Sequence, residues 1–354
     1  MSKDEEGSTR REFLQQAAAI GASIAVGGAA LAEERVALID SRGGRIARKP
    51  FGATGQTLSI LGLGGYSLGQ APSYEEAERI VHEALDAGLD FFDNAWEYNA
   101  HRSEEWMGRA LAGRRGRAFL MTKVCTHGRG KDVAMQQLDE SLRRLKTDHL
   151  DLWQIHEVVY WNDPELIFRP GGAIEAIVEA KRQGKTRFIG FTGHKHPKIH
   201  LRMLELAEQH GVRFDSVQLP LNAFDATFRS FEQEVLPAVG RHGAAALGMK
   251  SLGGGGEAIQ QGAITVDEAL RYAMSLPVAT TVSGIDSLAV LRQNLAIARA
   301  FKRAMSSSEM QALRQRCAGD AADGHLELYK TTMRYDAEVG RSEHGLPSPK
   351  ELPL

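Results

Sequence analysis

Short apolar segments alternate with helical patterns eight times along this chain of 354 residues. The apolar segments lie at residues 60–64, 89–92, 118–123, 150–156, 187–191, 216–219, 244–247 and 279–282. The helical patterns follow them at residues 74–87, 103–112, 132–145, 173–183, 198–211, 231–242, 266–275 and 287–303. Segments that are apolar on both faces and linked by helices are typical of parallel strands. Eight such units predict closure into a (β/α)8 TIM barrel.

A doubly wound open sheet is the alternative fold, because it also alternates strands with helices. The glycine-rich stretch LGLGGYSLG, at residues 61–69, lacks the G-x-G-x-x-G spacing of a dinucleotide-binding open sheet. A tight bend from strand to loop accounts for these glycines better. Ahead of this stretch, short extended segments broken by Gly52 and Gly55 predict an N-terminal β-hairpin.

The first 32 residues have the three parts of a secretory signal. They are a basic region with RREFL at residues 10–14, an apolar run of small residues, and an A-x-A site at residues 30–32. The paired arginines resemble a twin-arginine signal. We therefore expect the Tat export machinery as a partner and a periplasmic location, with an amphipathic surface helix and a cytoplasmic protein as the alternatives.

The rest of the chain divides into three predicted parts. Residues 33–48 are charged and aperiodic, which predicts a flexible lead, and residues 49–303 contain the eight units of the barrel. Residues 304–354 form a tail that we expect to flank the mouth of the barrel.

Composition excludes several classes of function. A net charge of -2 provides no basic surface for nucleic acid. Two cysteines are too few for a disulfide framework. Beyond the N-terminus, no stretch approaches the roughly 18 apolar residues that a membrane span requires. We therefore expect neither a nucleic-acid partner nor a membrane span in the mature chain.

An acid, a phenol, a lysine and a histidine lie at the ends of three successive predicted strands. Asp93 and Tyr98 follow one strand in FFDNAWEYN, Lys123 ends AFLMTK, and His156 ends LDLWQIH. Because functional groups of such barrels lie at the carboxyl ends of the strands, we expect these four side chains around one mouth.

Together these residue types can transfer a proton. A phenol has a pKa of about 10 and needs a cationic neighbour, for which Lys123 is available, to lower the pKa of Tyr98. Asp93 would hold Lys123 and keep it charged, and His156 could donate a hydrogen bond to a substrate carbonyl. Taken singly, Lys123 could equally be a strand-end charge and His156 a core histidine. The four together favour a catalytic site that needs no metal.

Between residues 49 and 303 the chain resembles the aldo-keto reductase family. The matching stretches, in family order, are FDNAWEY, MTK, LDLWQIH, IGFTGH, QLPLN and SGIDSLAVLRQN. The resemblance implies that Asp93, Tyr98, Lys123 and His156 form a catalytic tetrad with Tyr98 as general acid and base. It further implies reversible hydride transfer between NAD(P)H and the carbonyl of an aldehyde, ketone or sugar.

The same resemblance implies a site for the nicotinamide ring. Gln218 matches the glutamine that binds the carboxamide, and Thr192 and Gly193 stand where the family usually has Ser and Asn. Met249 stands where an aromatic residue commonly stacks on the ring. Lys250 and the glycines that follow it, to Gly256, could hold the pyrophosphate, with a mobile lid as the alternative.

At the last turn from strand to helix, NADP-binding members place Lys or Arg against the 2'-phosphate. This chain has Gly284, Asp286, Ser287 and Asn294 around that turn, together with Arg292. Asp286 could instead accept hydrogen bonds from a free ribose hydroxyl. Both NADP(H) and NAD(H) stay open as the cofactor, and the turn favours the hypothesis that NAD(H) is preferred.

Trp96 and Trp161 are expected to line the substrate pocket. The two histidines of HKHP, at residues 194–197, have no third ligand nearby, and we therefore expect loop residues and no metal. Two other functions stay open. Lys123 could form a Schiff base in a lyase, or the chain could be a non-catalytic nucleotide-binding module, similar to the potassium-channel β subunits.

Overall fold

A computed structural model describes residue 38 and residues 45–127 and 130–352 of the chain. The predicted signal at residues 1–32 lies outside the described residues, as does most of the predicted lead. Both therefore stay predictions. Among the described residues, no helix is both long enough and apolar enough to cross a membrane.

Eight parallel strands close into a barrel, which confirms the predicted fold. In chain order they are β3 (Leu61–Gly64), β4 (Phe91–Asp93), β5 (Phe119–Val124), β6 (Leu150–Ile155), β7 (Thr186–Thr192), β8 (Ser216–Pro220), β9 (Ala245–Met249) and β10 (Thr280–Gly284). Each strand pairs with the next one, and β10 closes the barrel on β3 with Leu63 opposite Ser283. The parallel register brings all eight carboxyl ends to one mouth.

Helices surround the barrel close to where the periodicity predicts them. The outer helices are Tyr74–Asp86, Arg102–Ala110, Lys131–Leu145, Ala173–Arg182, Pro197–Gln209, Phe231–Glu234, Leu236–Arg241, Val266–Ser275 and Leu288–Ala300. Short helices lie in the loops at Gly65–Leu68, Arg115–Arg117, Asp163–Phe168 and Glu257–Gln260. Tail helices follow at Ser307–Ala321, Leu328–Thr331, Glu338–Glu343 and Pro349–Glu351.

Two of the differences from the prediction have local reasons. The helix predicted at residues 231–242 is divided at Val235, because Pro237 in the second part has no backbone N–H to continue the helical ladder. The strand predicted from residue 89 begins at Phe91 instead. The N–H of Leu89 donates to the carbonyl of Ala84 and so still belongs to the end of the preceding helix.

The predicted hairpin, β1 (Arg48–Pro50) with β2 (Thr57–Ser59), is confirmed as an antiparallel pair ahead of the barrel. Phe51 follows β1 and is fully buried. Its ring packs edge-on against Phe119 at 5.2 Å and against Phe188 at 5.3 Å. Phe51 thereby joins an apolar cluster with side chains from β4, β5, β6, β9 and β10. The hairpin thus adds to the packed interior of the barrel.

The helix that follows the Tyr98 loop packs closely on its neighbour through Gly108. A Cβ atom at Gly108 would lie 2.3 Å from the carbonyl oxygen of Arg144 and 2.6 Å from the Cα of Leu145. Both are backbone atoms that cannot rotate away. This contact fixes the C-terminal part of the helix Arg102–Ala110 against the end of Lys131–Leu145.

We predict that Gly108→Ala destabilises the fold by about 1–3 kcal/mol, because the added methyl group forces two helix backbones apart. Gly240 is the matched control, since it is also helical but exposed and has no atom within 4 Å of a Cβ. Gly240→Ala should stabilise the fold by about 0.5–1 kcal/mol. Urea unfolding of both variants measures the difference, and equal effects would contradict the prediction.

Candidate active site

The structure brings the four predicted residues Asp93, Tyr98, Lys123 and His156 together at the mouth. Asp93 ends β4, Lys123 lies in β5, and His156 directly follows β6. Tyr98 lies in the loop after β4 and is partly buried, whereas the other three are at most 4% exposed. The common end of three neighbouring strands therefore collects four polar groups in a space that largely excludes water.

Lys123 is the centre of this group. Its ammonium donates to the Asp93 carboxylate, to the carbonyl oxygen of Asn94 at 2.7 Å and to the Tyr98 hydroxyl at 3.2 Å. Burial lowers the pKa of Lys123, and the negative charge of Asp93 opposes this shift. An ammonium has three donors, and here each has an acceptor. Lys123 is thus held as a cation directed at the phenol.

The phenol of Tyr98 lies between Lys123 and His156. Its oxygen is 3.4 Å from Nε2 of His156. Burial raises the pKa of Tyr98 well above its usual value, and the negative charges of Asp93 and Glu157 add to the shift. The net shift is therefore opposite to the lowering expected from Lys123, because burial and the neighbouring carboxylates dominate the pKa of Tyr98. The structure holds Tyr98 as a protonated phenol.

His156 is a neutral imidazole that lies beside Glu97. Burial lowers the pKa of His156 to about 3. Its Nδ1 lies 2.8 Å from a carboxylate oxygen of Glu97, whose second oxygen accepts a hydrogen bond from Sγ of Cys125 at 3.1 Å. Burial also raises the pKa of Glu97. An ionised Glu97 keeps the imidazole proton on Nδ1, whereas a protonated Glu97 leaves it on Nε2, which faces Tyr98.

Gln218, in β8, lies beside Asp93. Its amide nitrogen donates to Asp93 at 2.8 Å. Its amide oxygen is buried and has no hydrogen-bond partner among the described residues. A buried acceptor without a donor is unfavourable by about 1–3 kcal/mol. Gln218 therefore has one free acceptor of the kind that a carboxamide N–H would satisfy.

The structure explains the glycine at position 193. A Cβ atom there would lie 2.3 Å from the carbonyl oxygen of Val158 and 2.9 Å from the ring of His200. No side chain fits, so this chain cannot supply the amide expected at that position in the family. Thr192 ends β7, and its hydroxyl lies 4.0 Å from the sulfur of Met249 at the end of β9.

Lys250 follows β9, and the tail covers it. Its ammonium lies 4.8 Å from the ring centre of Tyr335 and 5.2 Å from that of Tyr329. Burial lowers the pKa of Lys250 to about 8. A Cβ atom at Gly254 would lie 3.0 Å from the Tyr335 hydroxyl. Two tail tyrosines therefore pack on the lysine and the glycine loop predicted to hold a pyrophosphate.

The remaining predicted cofactor residues lie around the turn from β10 to the last helix of the barrel, in different surroundings. Gly284 and Asp286 are exposed. Ser287 caps the helix Leu288–Ala300 by accepting a hydrogen bond from the N–H of Val290. Asn294 is buried and donates to the hydroxyl of Ser283 at 3.0 Å, so its amide is used against β10.

Carboxylates of this chain bind the helix N-terminus and the arginine near this turn. The N–H of Leu288, in the first turn of the helix, donates to the carboxylate of Glu76 at 3.2 Å. Arg292 pairs with both carboxylate oxygens of Glu83, at 2.8 and 2.9 Å. The helix N-terminus and the nearby arginine therefore both have acidic partners within the chain.

Two acidic residues at the mouth were missed by the sequence reasoning. Glu97 precedes Tyr98 and Glu157 follows His156, so adjacency to predicted catalytic residues at strand ends was the available signal. Glu157 has a positive φ of 46°. Its carboxylate accepts from the N–H of Ala337 at 2.5 Å and lies 3.7 Å from Nε2 of His194. The tail thus reaches the residue next to His156.

The two predicted substrate residues lie in different surroundings. The indole N–H of Trp96 donates to Glu140 on an outer helix at 2.8 Å, and its ring packs on His101 at 4.4 Å. Trp161 is 64% exposed and lies 4.9 Å from the ring of His196. Their role in binding substrate stays a prediction.

We predict that His156 does not gain a proton between about pH 5 and pH 8, the range in which histidines usually titrate. Its pKa of about 3 lies below that range, so the neutral form persists until strongly acidic solution. Nitrogen NMR of the imidazoles measures this, with His156→Asn identifying the signal. A titration midpoint inside the range would contradict the burial of His156.

Comparison with known proteins links this site to one family. The aldo/keto reductase family model matches residues 60–258. An uncharacterized oxidoreductase of Bacillus subtilis is 31% identical over 240 residues, which cover 61% of this chain and 70% of that protein. L-galactose dehydrogenase of Arabidopsis thaliana is 31% identical over 159 residues, covering 42% of this chain but only 49% of that relative.

A solved structure supports the fold. The aldo/keto reductase of Klebsiella pneumoniae in complex with NADP and acetate has a TM-score of 0.61 and 21% identity. The match covers 75% of this chain and 94% of that one. The aldo/keto reductase family model spans more than half of the length of this chain, and the chain therefore belongs to that family.

Proposed function

We propose that this protein is an oxidoreductase that interconverts an alcohol with the carbonyl of an aldehyde, ketone or sugar, using a nicotinamide cofactor. The observation that supports it most is the Tyr98 hydroxyl, held 3.2 Å from the Lys123 ammonium and 3.4 Å from the His156 imidazole. When bound, the nicotinamide supplies or accepts the hydride. The protein supplies binding, orientation and the proton.

In the reducing direction, the proton comes from Tyr98. A substrate carbonyl oxygen that approaches the phenol receives this proton as negative charge develops on it. The resulting phenolate is stabilised by Lys123, which Asp93 keeps charged. In the oxidising direction the phenolate takes the proton back from the alcohol. With its proton on Nε2, His156 would donate to the same oxygen, while Glu97 lies 2.8 Å from its Nδ1.

The chain offers groups that fit the nicotinamide end of the cofactor. The free amide oxygen of Gln218 would accept from the carboxamide, and the hydroxyl of Thr192 would add a second hydrogen bond. Met249, at the end of β9, would contact the ring. Lys250 would approach the phosphates, provided that the tail tyrosines give it room.

A Schiff-base lyase is less compatible with the contacts of Lys123. A nucleophilic amine needs a free lone pair, whereas the Lys123 nitrogen donates to three acceptors. A binding module without catalysis would not require the phenol to be held against both the lysine and the histidine. The binding module predicts that the Tyr98 hydroxyl is dispensable, and the lyase predicts a covalent adduct at Lys123 after borohydride reduction with a carbonyl substrate.

We predict that Tyr98→Phe lowers kcat/KM for a simple aldehyde by at least about 100-fold, because the proton donor is lost. NADH binding, followed by fluorescence, should change little, since the ring of Tyr98 is kept. The matched control is Tyr66→Phe, because Tyr66 packs edge-on against Tyr98 at 5.4 Å but is 52% exposed. Unchanged turnover in Tyr98→Phe would refute the proposed chemistry.

We further propose that NAD(H) is preferred over NADP(H), although the Klebsiella pneumoniae relative was solved with NADP. At the last turn, Glu76 accepts from the helix N-terminus, and Arg292 is engaged by Glu83. A 2'-phosphate there would meet the charge of Glu76 and gain no free arginine. The exposed Asp286 suits a ribose hydroxyl instead.

We predict that Glu76→Gln raises the affinity for NADPH relative to NADH by about tenfold, because it removes one negative charge beside the helix N-terminus. Glu75→Gln is the control, since Glu75 lies beside Glu76 in the first turn of the helix Tyr74–Asp86 but is exposed. Fluorescence titrations with both nucleotides give the ratios. NADPH binding to the wild type at least about tenfold tighter than NADH would overturn the preference.

A further inference from the structure

Three potential metal ligands from distant parts of the chain meet beside the mouth. His127 lies in the loop after β5, Asp163 begins the short helix after β6, and His344 follows the tail helix Glu338–Glu343. One ligand atom of each lies within 4.8 Å of those of the other two. Asp163 is fully buried and His127 is 3% exposed. None of the three belongs to the group around Tyr98.

The separations in this cluster suit ligands of one ion. Nε2 of His344 lies 3.0 Å from one oxygen of Asp163, and Nδ1 of His127 lies 3.5 Å from the other. Bonds of about 2.0–2.2 Å in a tetrahedral arrangement place neighbouring ligand atoms about 3.4 Å apart. An ion could therefore enter with side-chain rotations and little movement of the backbone.

Hydrogen bonding does not account for the burial of the His127 ring. Neither of its ring nitrogens has a hydrogen-bond partner among the described residues, although the ring is buried. The tail closes over one side, since a Cβ atom at Gly340 would lie 2.1 Å from Nε2. Leaving a buried polar nitrogen unsatisfied is unfavourable by about 1–3 kcal/mol. A metal bond at Nδ1 would satisfy that nitrogen.

The other two ligands are already oriented. Asp163 accepts from the N–H groups of Val159 at 2.8 Å and Tyr160 at 2.7 Å, which fix its carboxylate. The ring of Tyr160 also lies 4.0 Å from that of His344. Supporting contacts of this kind are typical of built metal sites. The carboxylates of Glu157 and Glu343 act on His127 as well, and their negative charge favours a cation.

We propose that His127, Asp163 and His344 bind a divalent first-row transition-metal ion such as Zn²⁺, which fastens the tail to the loops after β5 and β6. Two imidazoles and one carboxylate suit zinc and its neighbours better than Mg²⁺ or Ca²⁺, which prefer oxygen ligands. The ion is structural, holds the tail over the mouth, and takes no part in hydride transfer.

The test uses the full chain without an affinity tag, stripped with EDTA and titrated with Zn²⁺ by calorimetry and with Co²⁺ by visible absorption. We expect one equivalent of either ion per wild-type chain and a cobalt d–d spectrum of low coordination number. His344→Ala should bind at least about 100-fold more weakly, since losing even a supporting contact weakens metal binding about 10–100-fold. His344→Cys should recover zinc binding, because thiolate is also a zinc ligand.

His325→Ala is the matched control. His325 is likewise a tail histidine paired with a carboxylate, with Nδ1 2.6 Å from Asp323, but among the described residues it belongs to no group of three potential ligands. This variant should bind zinc as the wild type does. Failure of the stripped wild type to bind zinc, or equal zinc binding by wild type and His344→Ala, would overturn the proposal and leave a polar His–Asp–His cluster without a metal. Because binding is measured without nucleotide or substrate, the result is independent of the proposed oxidoreductase activity.

Discussion

The buried ion pair of Lys123 and Asp93 is the contact on which the rest of the site depends. Two charges removed from water are stable only when each has further partners, and losing one member of such a pair typically destabilises a protein by about 3–5 kcal/mol. Here Lys123 also donates to Asn94 and Tyr98, and Asp93 also accepts from Gln218. The same contacts that compensate the buried charges therefore fix the phenol and the predicted carboxamide ligand.

The tail adds a second layer of buried polar contacts to this arrangement. The ammonium of Lys330 is fully buried and donates to Asp225 at 2.7 Å and Glu327 at 2.8 Å. Asn222, just after β8, donates to the hydroxyl of Tyr329 at 2.9 Å. Barrel loop and tail thereby share one hydrogen-bonded network. A ligand that enters between them must leave these contacts intact or replace them.

The environment of the Tyr98 hydroxyl favours its protonated form. Burial raises the pKa of Tyr98, and the negative charges of Asp93 and Glu157 add to the shift, although Lys123 lies beside the phenol. A protonated phenol beside a fixed ammonium is prepared to donate to a carbonyl oxygen. The neutral His156 adds a second polar contact without bringing another positive charge close to Lys123.

The sequence by itself determined the barrel, its hairpin and the meeting of Asp93, Tyr98, Lys123 and His156. Those features follow from local periodicity, and the parallel register then brings the strand ends together. Only the tertiary structure decided the direction of the Tyr98 pKa, the pairing of Glu97 with His156 and the approach of the tail to the mouth. These depend on burial and on contacts between residues far apart in the chain, such as Ala337 with Glu157, which no local pattern encodes.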